Sequence, residues 1–286
     1  MLLSAADLRI DHVTVAGRDL KAMDAALERA GIPMVYGGPH ANGVTEMSLC
    51  SFPDGSYLEA IAPVAGAAKA AIQKHEWGAF LAEDATTCAW ALRSENLDAD
   101  RRRLRDAGIA TGEPVSGGRA RPDGVRLEWQ TLDIGGGVRG ALYPFLIHDV
   151  TPREQRAFPA GKATTGDFAG VARVVIAVHD LDDAIAQYRR AFGLPAPARL
   201  TDEHFGARLA AFRDSPVVLA QPLRGGNWIE QRIYRFGEGP CAFILRAAKP
   251  EPAAGGNTRW FGDEIRWIDP GQLKWRLGVA GPVKHR

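Results

Sequence analysis

The chain has 286 residues, 46% hydrophobic and 24% charged, with a formal net charge of +1. That length suffices for two ordinary domains with sizeable cores, and the balanced charge argues against electrostatic capture of nucleic acid or an anionic membrane. Cys50, Cys88 and Cys241 are odd in number and far apart, which excludes a CxxC zinc knuckle or redox couple and gives no sign of a secreted disulfide framework.

The opening MLLSAADLRID lacks a basic stretch before an apolar core, so it does not read as a signal peptide. No apolar run approaches the roughly 18 residues of a membrane span, and a reducing, cytoplasmic setting is expected. Each cysteine sits in an apolar segment and is read as a small buried hydrophobe. From Arg9 the pattern becomes regular. Ile10 to Val15 form a β-rich run that turns at Gly17 to Asp19. Leu20, Met23, Leu27 and Ala30 then recur at helical spacing, with Asp19 as N-cap and Gly31 as the stop. Extended segments follow near Met34 to Tyr36, Val44 to Phe52 and Tyr57 to Pro63, the last two separated by the turn Pro53-Asp54-Gly55. The unit is βαβββ.

The same order recurs three times. AGI at 30–32 and again at 107–109 sets an offset of 77 residues between the first unit and the second. In the second helix, Arg101 to Arg105 are flanked by Asp98, Asp100 and Asp106 and read as a solvated face rather than a phosphate patch. The run GGGVRG precedes no helix and reads as a hairpin rather than a phosphate cradle. A third copy starts at GVARVVIAVHDLDDAIAQYRRAFGL (170–194). A fourth starts at GEGPCAFILRA (237–247), its helix reduced to little more than KPEPAAGG, with strands near Glu264 to Ile268 and Leu273 to Val279. One such unit cannot cover both faces of its own sheet. The expected fold is therefore α+β: tandem βαβββ modules paired into two curved, bowl-like mixed sheets with the helices outside. Residues 1–150 hold modules at about 7–64 and 86–149. The Pro-, Gly- and Thr-rich stretch 151–167 is the linker, and 168–286 hold modules at about 168–223 and 236–280.

This pattern resembles the vicinal oxygen chelate superfamily, which includes glyoxalase I, epimerases, extradiol dioxygenases and bleomycin-resistance proteins. The first half resembles the glyoxalase-like domain subgroup most closely, through LRIDHVTVAGRDL, GGPHANGVTEMSL, DGSYLEAIAP and ALYPFLIHD. The third and fourth units, including WIEQRIYRFGEGPCAFIL, resemble the general family form.

The resemblance implies that the first and last strands of each unit can carry ligands to a divalent metal. Alternation along the first strand turns Val13 and Val15 toward the helix, and Ile10, His12 and Thr14 the other way. On the last strand, Leu58, Ala60 and Ala62 suit the helix side, which sends Tyr57, Glu59 and Ile61 into the bowl. His12 and Glu59 thus match two family ligand positions; a core histidine hydrogen-bonded to a carboxylate is the alternative. The second unit offers Ala89 at the equivalent position, so a third ligand would be His148, otherwise a surface residue at a strand end, or Glu128, with water or a second subunit as the alternatives for the open positions. The third unit offers Arg173, and the fourth Cys241 or Ala242, so the second bowl has lost every family ligand. Arg173 would bind a substrate carboxylate or phosphate, or pair with an internal acid. His40 and Glu46 lie in a glycine-rich rim segment where they would touch substrate or move a proton; a solvated turn histidine is the alternative. His75, His179 and His204 receive no role.

Two functions remain open. One is a metal-dependent lyase, isomerase or oxygenase acting on a small organic substrate through Zn, Fe, Mn, Ni or Mg. The other is a metal-free protein that sequesters a small molecule, of the bleomycin-resistance type. A homodimer is compatible with either.

Overall fold

The computed structural model describes residues 8–223, 225–250 and 258–282. The first module comprises β1 (Ile10–Ala16), α1 (Leu20–Arg29), β2 (Val35–Pro39), β3 (Thr45–Ser51) and β4 (Tyr57–Pro63). Two short helices, α2 (Lys69–Lys74) and α3 (Gly78–Leu81), connect it to the second: β5 (Thr86–Arg93), α4 (Leu97–Asp106), β6 (Val115–Ala120), β7 (Arg126–Leu132) and β8 (Phe145–Asp149). After α5 (Arg153–Ala157) comes the third: β9 (Phe168–Ala177), α6 (Leu181–Phe192), β10 (Ala198–Asp202), β11 (Ala207–Ala211) and β12 (Val217–Pro222). Helix α7 (Trp228–Phe236) leads into β13 (Gly239–Ala247), β14 (Thr258–Trp260), β15 (Asp263–Trp267), α8 (Pro270–Leu273) and β16 (Arg276–Ala280). Beyond Pro250, the reduced fourth helix expected in KPEPAAGG lies outside the described residues.

Among the described residues, the helices of the first three modules start the same way. Asp19, Asn96 and Asp180 accept from the amides of Ala22, Ala99 and Asp183, satisfying one otherwise unpaired donor of the first turn. Gly193 ends α6 in the left-handed conformation, with φ +65°. These local choices recur because the topology recurs. The first sheet runs β2-β3-β4-β1-β5-β8-β7-β6 and the second β10-β11-β12-β9-β13-β16-β15-β14. In both, the first and last strands of a module pair in parallel, and two modules join antiparallel through their first strands. The result is two nearly closed, barrel-like mixed sheets of the expected α+β class.

The alternation rule decides what each face buries. Val13, Val15, Leu58 and Ala60 meet Leu20, Met23 and Leu27 of α1, while Val174, Ile176 and Leu219 meet Ile185, Tyr188 and Phe192 of α6. These helix-side surfaces merge into one core spanning both sheets. Ile10 belongs to it too, contrary to simple alternation. The β1–β5 register shifts between Ile10 and His12, so Asp11 is the extra residue of a bulge.

The interiors of the bowls differ. In the second, Phe205, Ile229, Ile233, Trp260, Val175 and Val218 pack into a solid core, with Trp228 and Trp267 against it. Trp260 also donates to Asp202 at 2.7 Å, tying β14 to β10. The first bowl closes by backbone instead. Ala41 N–H donates to the Gly118 carbonyl at 2.9 Å, and His40 forms an isolated bridge with Arg119. At this seam Gly38 takes φ +102°, and a Cβ there would run into the Ala120 carbonyl oxygen. Gly38→Ala should therefore lower stability by about 1–3 kcal/mol in urea unfolding. A variant as stable as the parent would show that the seam does not need this backbone.

Candidate functional site

What the first bowl leaves unfilled is a cavity of about 390 Å³. Its lining follows strand alternation: Tyr57, Glu59 and Ile61 from β4, Trp129 and Thr131 from β7, Phe145 and Ile147 from β8, and His12 from β1. Asn42 and Thr45, beside His40, contribute at the seam, and His75, Glu76, Trp77 and Arg139 come from the connector and the β7–β8 loop.

Three of these side chains form the polar centre. Glu59 is only 5% exposed. His12 Nε2 lies 3.8 Å from Glu59 Oε2, and His40 Nε2 lies 3.7 Å from Oε1, so the two rings engage opposite oxygens at ion-pair distance. Thr14 donates to Oε2 at 2.9 Å. Burial alone would raise the Glu59 carboxyl, but His40, the charge of His12 and the Thr14 hydroxyl outweigh it and bring the pKa down to about 2. The acid is therefore an anion at every ordinary pH.

Both rings are gripped from behind. His40 Nδ1 lies 3.0 Å from Thr45 Oγ1. His12 Nδ1 lies 2.7 Å from Asp11 Oδ1, and the ring stacks on Tyr57 with centroids 4.8 Å apart. Because the bulge turns Asp11 toward His12, a buried ion network can form behind the ring. Arg156 donates to Asp11 at 3.0 and 2.9 Å, to Asp149 at 2.5 and 3.0 Å, and to the Tyr57 hydroxyl at 2.6 Å. Arg153 adds a further ion pair to Asp11. Burial would raise the Asp11 carboxyl, but Arg156, His12 and Arg153 hold it well below the usual range. Both arginines come from α5, so the stretch expected to be only a linker in fact delivers the counter-charge that fixes His12.

An ionised Asp11 accepts the Nδ1 proton of His12. The neutral ring would then aim its Nε2 lone pair at an anionic carboxylate, which is repulsive. The arrangement calls for a positive charge at that point: a second proton on the ring, or a bound cation. By donor type, two imidazole nitrogens and a carboxylate fit a divalent transition metal. As placed they do not make a metal site: among the described residues no group of three or more His, Cys, Asp or Glu side chains is positioned to hold an ion, so binding one would have to draw these three side chains together.

The structure does not bring the other expected residues to this cavity. Glu128 and His148 alternate with the inward-facing Trp129, Thr131, Phe145 and Ile147. They therefore point to the opposite face, where Glu128 is near Arg126 at 3.5 Å and His148 Nδ1 is 3.0 Å from the Ser94 carbonyl. Glu46 is likewise outside the lining and accepts from the Tyr36 hydroxyl at 2.7 Å. Arg173 is bound to Asp263 at 3.1 and 2.9 Å, and Arg246 grips the same carboxylate at 2.8 Å; this is the internal pairing rather than a substrate clamp. Ala89 and Ala91 line the interior apolar cluster of the first bowl, so the second module supplies no ligand from its first strand. Nothing in the sequence pattern assigns a role to Asp11, Arg156, Arg139 or His75. Asp11 adjoins His12 and could have been found by asking what orients that ring.

A model of the glyoxalase-like domain matches residues 10–171. The chain belongs to the glyoxalase-like domain family. This family is part of the vicinal oxygen chelate superfamily. Among solved structures, a hypothetical protein from Staphylococcus aureus shares the fold over 96% of this chain and 99% of its own, at 13% identity and a TM-score of 0.65. A mutant 4-hydroxymandelate synthase from Streptomyces coelicolor aligns over 86% of this chain and 72% of its own, at 14% identity and a TM-score of 0.52. At such identities the likeness is one of fold alone. No curated protein matches this glyoxalase-like chain in sequence. Among the described residues no helix is long and apolar enough to cross a membrane.

Two outcomes follow for stability. Arg156→Met removes the shared partner of two carboxylates and should cost about 3–5 kcal/mol in chemical denaturation; a loss within error would mean that Arg153 alone suffices. The Glu59 contribution, with its pKa depressed from 4.5 to about 2, is complete above the unfolded value and is lost as pH falls through that window. Glu59→Gln should thus flatten the acid limb of a Tm-versus-pH curve between those values. An unchanged limb would show that the carboxylate is not stabilised by its neighbours.

Proposed function

We propose that this protein is a vicinal oxygen chelate enzyme, acting on a small organic substrate at a divalent ion held by His12, Glu59 and His40. One observation carries the reading: two imidazole Nε2 atoms, each ring held at Nδ1, converge on an ionised carboxylate inside the first-bowl cavity. The ion would act as a Lewis acid toward adjacent oxygens of the substrate.

The chain's own groups supply the rest. Tyr57, Trp77, Trp129 and Phe145 give flat apolar walls for the carbon skeleton. Thr14 and Asp11 keep Glu59 and His12 aimed at one point, so little reorganisation accompanies binding. His75 accepts the Trp77 amide at Nδ1, at 3.1 Å, and its Nε2 lies 3.4 Å from the Asn42 amide nitrogen at the mouth. Burial, then the charges of His40 and Arg139, lower its pKa and favour the neutral ring. Arg139 lies over the Phe145 ring, 4.6 Å from its centroid, and brings a cation to the same wall. Lyase, isomerase and oxygenase chemistry all fit such a site.

The aromatic lining also favours a second reading, metal-free sequestration of a small aromatic molecule. Metal analysis and calorimetric titration with Zn²⁺ and Mn²⁺ separate the two. The enzyme reading expects a single equivalent bound, lost in His12→Ala and Glu59→Ala proteins that keep their circular dichroism. Asp11→Asn should weaken metal affinity about 10–100-fold through ring orientation alone. A folded protein that binds small aromatics but neither metal would establish sequestration instead.

A further inference from the structure

A second cavity, about 450 Å³, lies where the two bowls meet. Thr86 and Thr87 at the start of β5 face it from the first bowl, and α7 with Lys274, Trp275 and Arg276 from the second. Nothing in the proposed chemistry uses it. Its wall is strongly cationic although the chain as a whole carries a formal charge of only +1. Arg18, Arg232, Arg235, Lys274 and Arg276 line it against two carboxylates, Glu83 and Asp84. Those two are already engaged, Asp84 by Arg18 and Glu83 by Arg235 at 2.5 Å.

Among the described residues, Arg276 and Arg232 have no acidic partner. Arg276 lies over the Trp228 ring, 4.4 Å from its centroid, a cation–π contact that supplies no counter-charge. Arg232 is 8% exposed; it donates to the carbonyls of Pro240 at 2.9 Å and Gly237 at 2.6 Å, and its Nη2 has no partner. Burial lowers the pKa of both, Arg232 to about 10, and the neighbours that oppose this are thiols, not carboxylates. A buried guanidinium without a counter-charge is costly. Lys274, near enough to Asp84 to help lower its carboxyl, adds a third positive charge to the same wall.

We propose that this inter-bowl cavity is a second ligand site, taking a small organic anion whose carboxylate or phosphate meets Arg276 and Lys274 while its flat apolar part lies along Trp228 and Trp275. Arg232 sits deeper and contributes its field. The occupant is defined by both halves of that chemistry: an anionic head that exchanges its water for guanidinium N–H groups, and an apolar body that covers indole surface.

The test uses the full chain and two probes, benzoate and phenyl phosphate, followed by calorimetry, with inorganic phosphate as a head-only control. A single equivalent of at least one probe should bind, more tightly than inorganic phosphate and more weakly as salt rises. Comparing the two probes tells which head the site prefers. Arg276→Met should weaken binding about tenfold or more, the scale of a charge-assisted pair, with Arg276→Lys recovering part of the loss. Arg276 is only partly buried, so both variants should fold; circular dichroism checks this. His12→Ala, in the other cavity, should leave binding unchanged. The proposal is overturned if neither probe binds, if Arg276→Met binds as the parent does, or if His12→Ala abolishes binding, which would place the probe in the first bowl.

Discussion

Taking a carboxylate out of water is costly unless positive charge and hydrogen bonds replace the solvent it loses. Glu59 is ionised inside the first bowl, and much of what surrounds it can be understood as that replacement. His12 and His40 stand on either side, and Thr14 supplies a hydroxyl. The requirement then propagates outward. His12 can serve only if its ring is fixed, Asp11 fixes it, and Asp11, itself buried and ionised, needs Arg156 and Arg153. Charge thus alternates from the cavity to the stretch between the two sheets. This chain of pairs ties α5 to β1 and β4 more firmly than its short length would suggest.

The legible parts of this arrangement were those with a period. Alternation along β4 placed Tyr57, Glu59 and Ile61 in the bowl because that strand is regular against both its neighbours. It failed at Ile10, where the bulge at Asp11 shifts the phase. His148 and Glu128 were misjudged because the long Gly-rich connection between β7 and β8 hides which residue faces inward. No local pattern announces Arg156 as the partner of Asp11, 145 residues earlier. Such contacts follow from how the sheet closes, not from spacing. Arg139 was hidden for a similar reason: it sits in an irregular loop, where no period predicts direction.

The two bowls show what duplication permits. Their strand orders are equivalent, yet one interior is open and polar at its centre while the other is filled by Phe205 and tryptophans. The first-strand positions that match family ligands in the second bowl hold Arg173 and Cys241 or Ala242. Arg173 is consumed by Asp263, and Cys241 and Ala242 are buried in the apolar filling. The second bowl also braces the first: the Thr87 hydroxyl donates to the Pro240 carbonyl at 2.6 Å, the same oxygen that accepts from Arg232.

Within the first bowl the second module offers Ala89 and Ala91 where family logic would place a ligand strand, which leaves the pair on β1 and β4 half-surrounded. The missing side is approached from an unexpected direction. His40 follows directly on β2, an edge strand, and reaches Glu59 only because the sheet curls until β2 meets β6. A residue at an edge normally faces solvent, and here closure turns it inward. The third polar group of the centre is therefore a product of barrel curvature, and whatever loosens the Ala41–Gly118 seam also withdraws His40 from the carboxylate. Were a cation gripped by both rings, its binding and the closure of the sheet would be one equilibrium, each stabilising the other by the same amount.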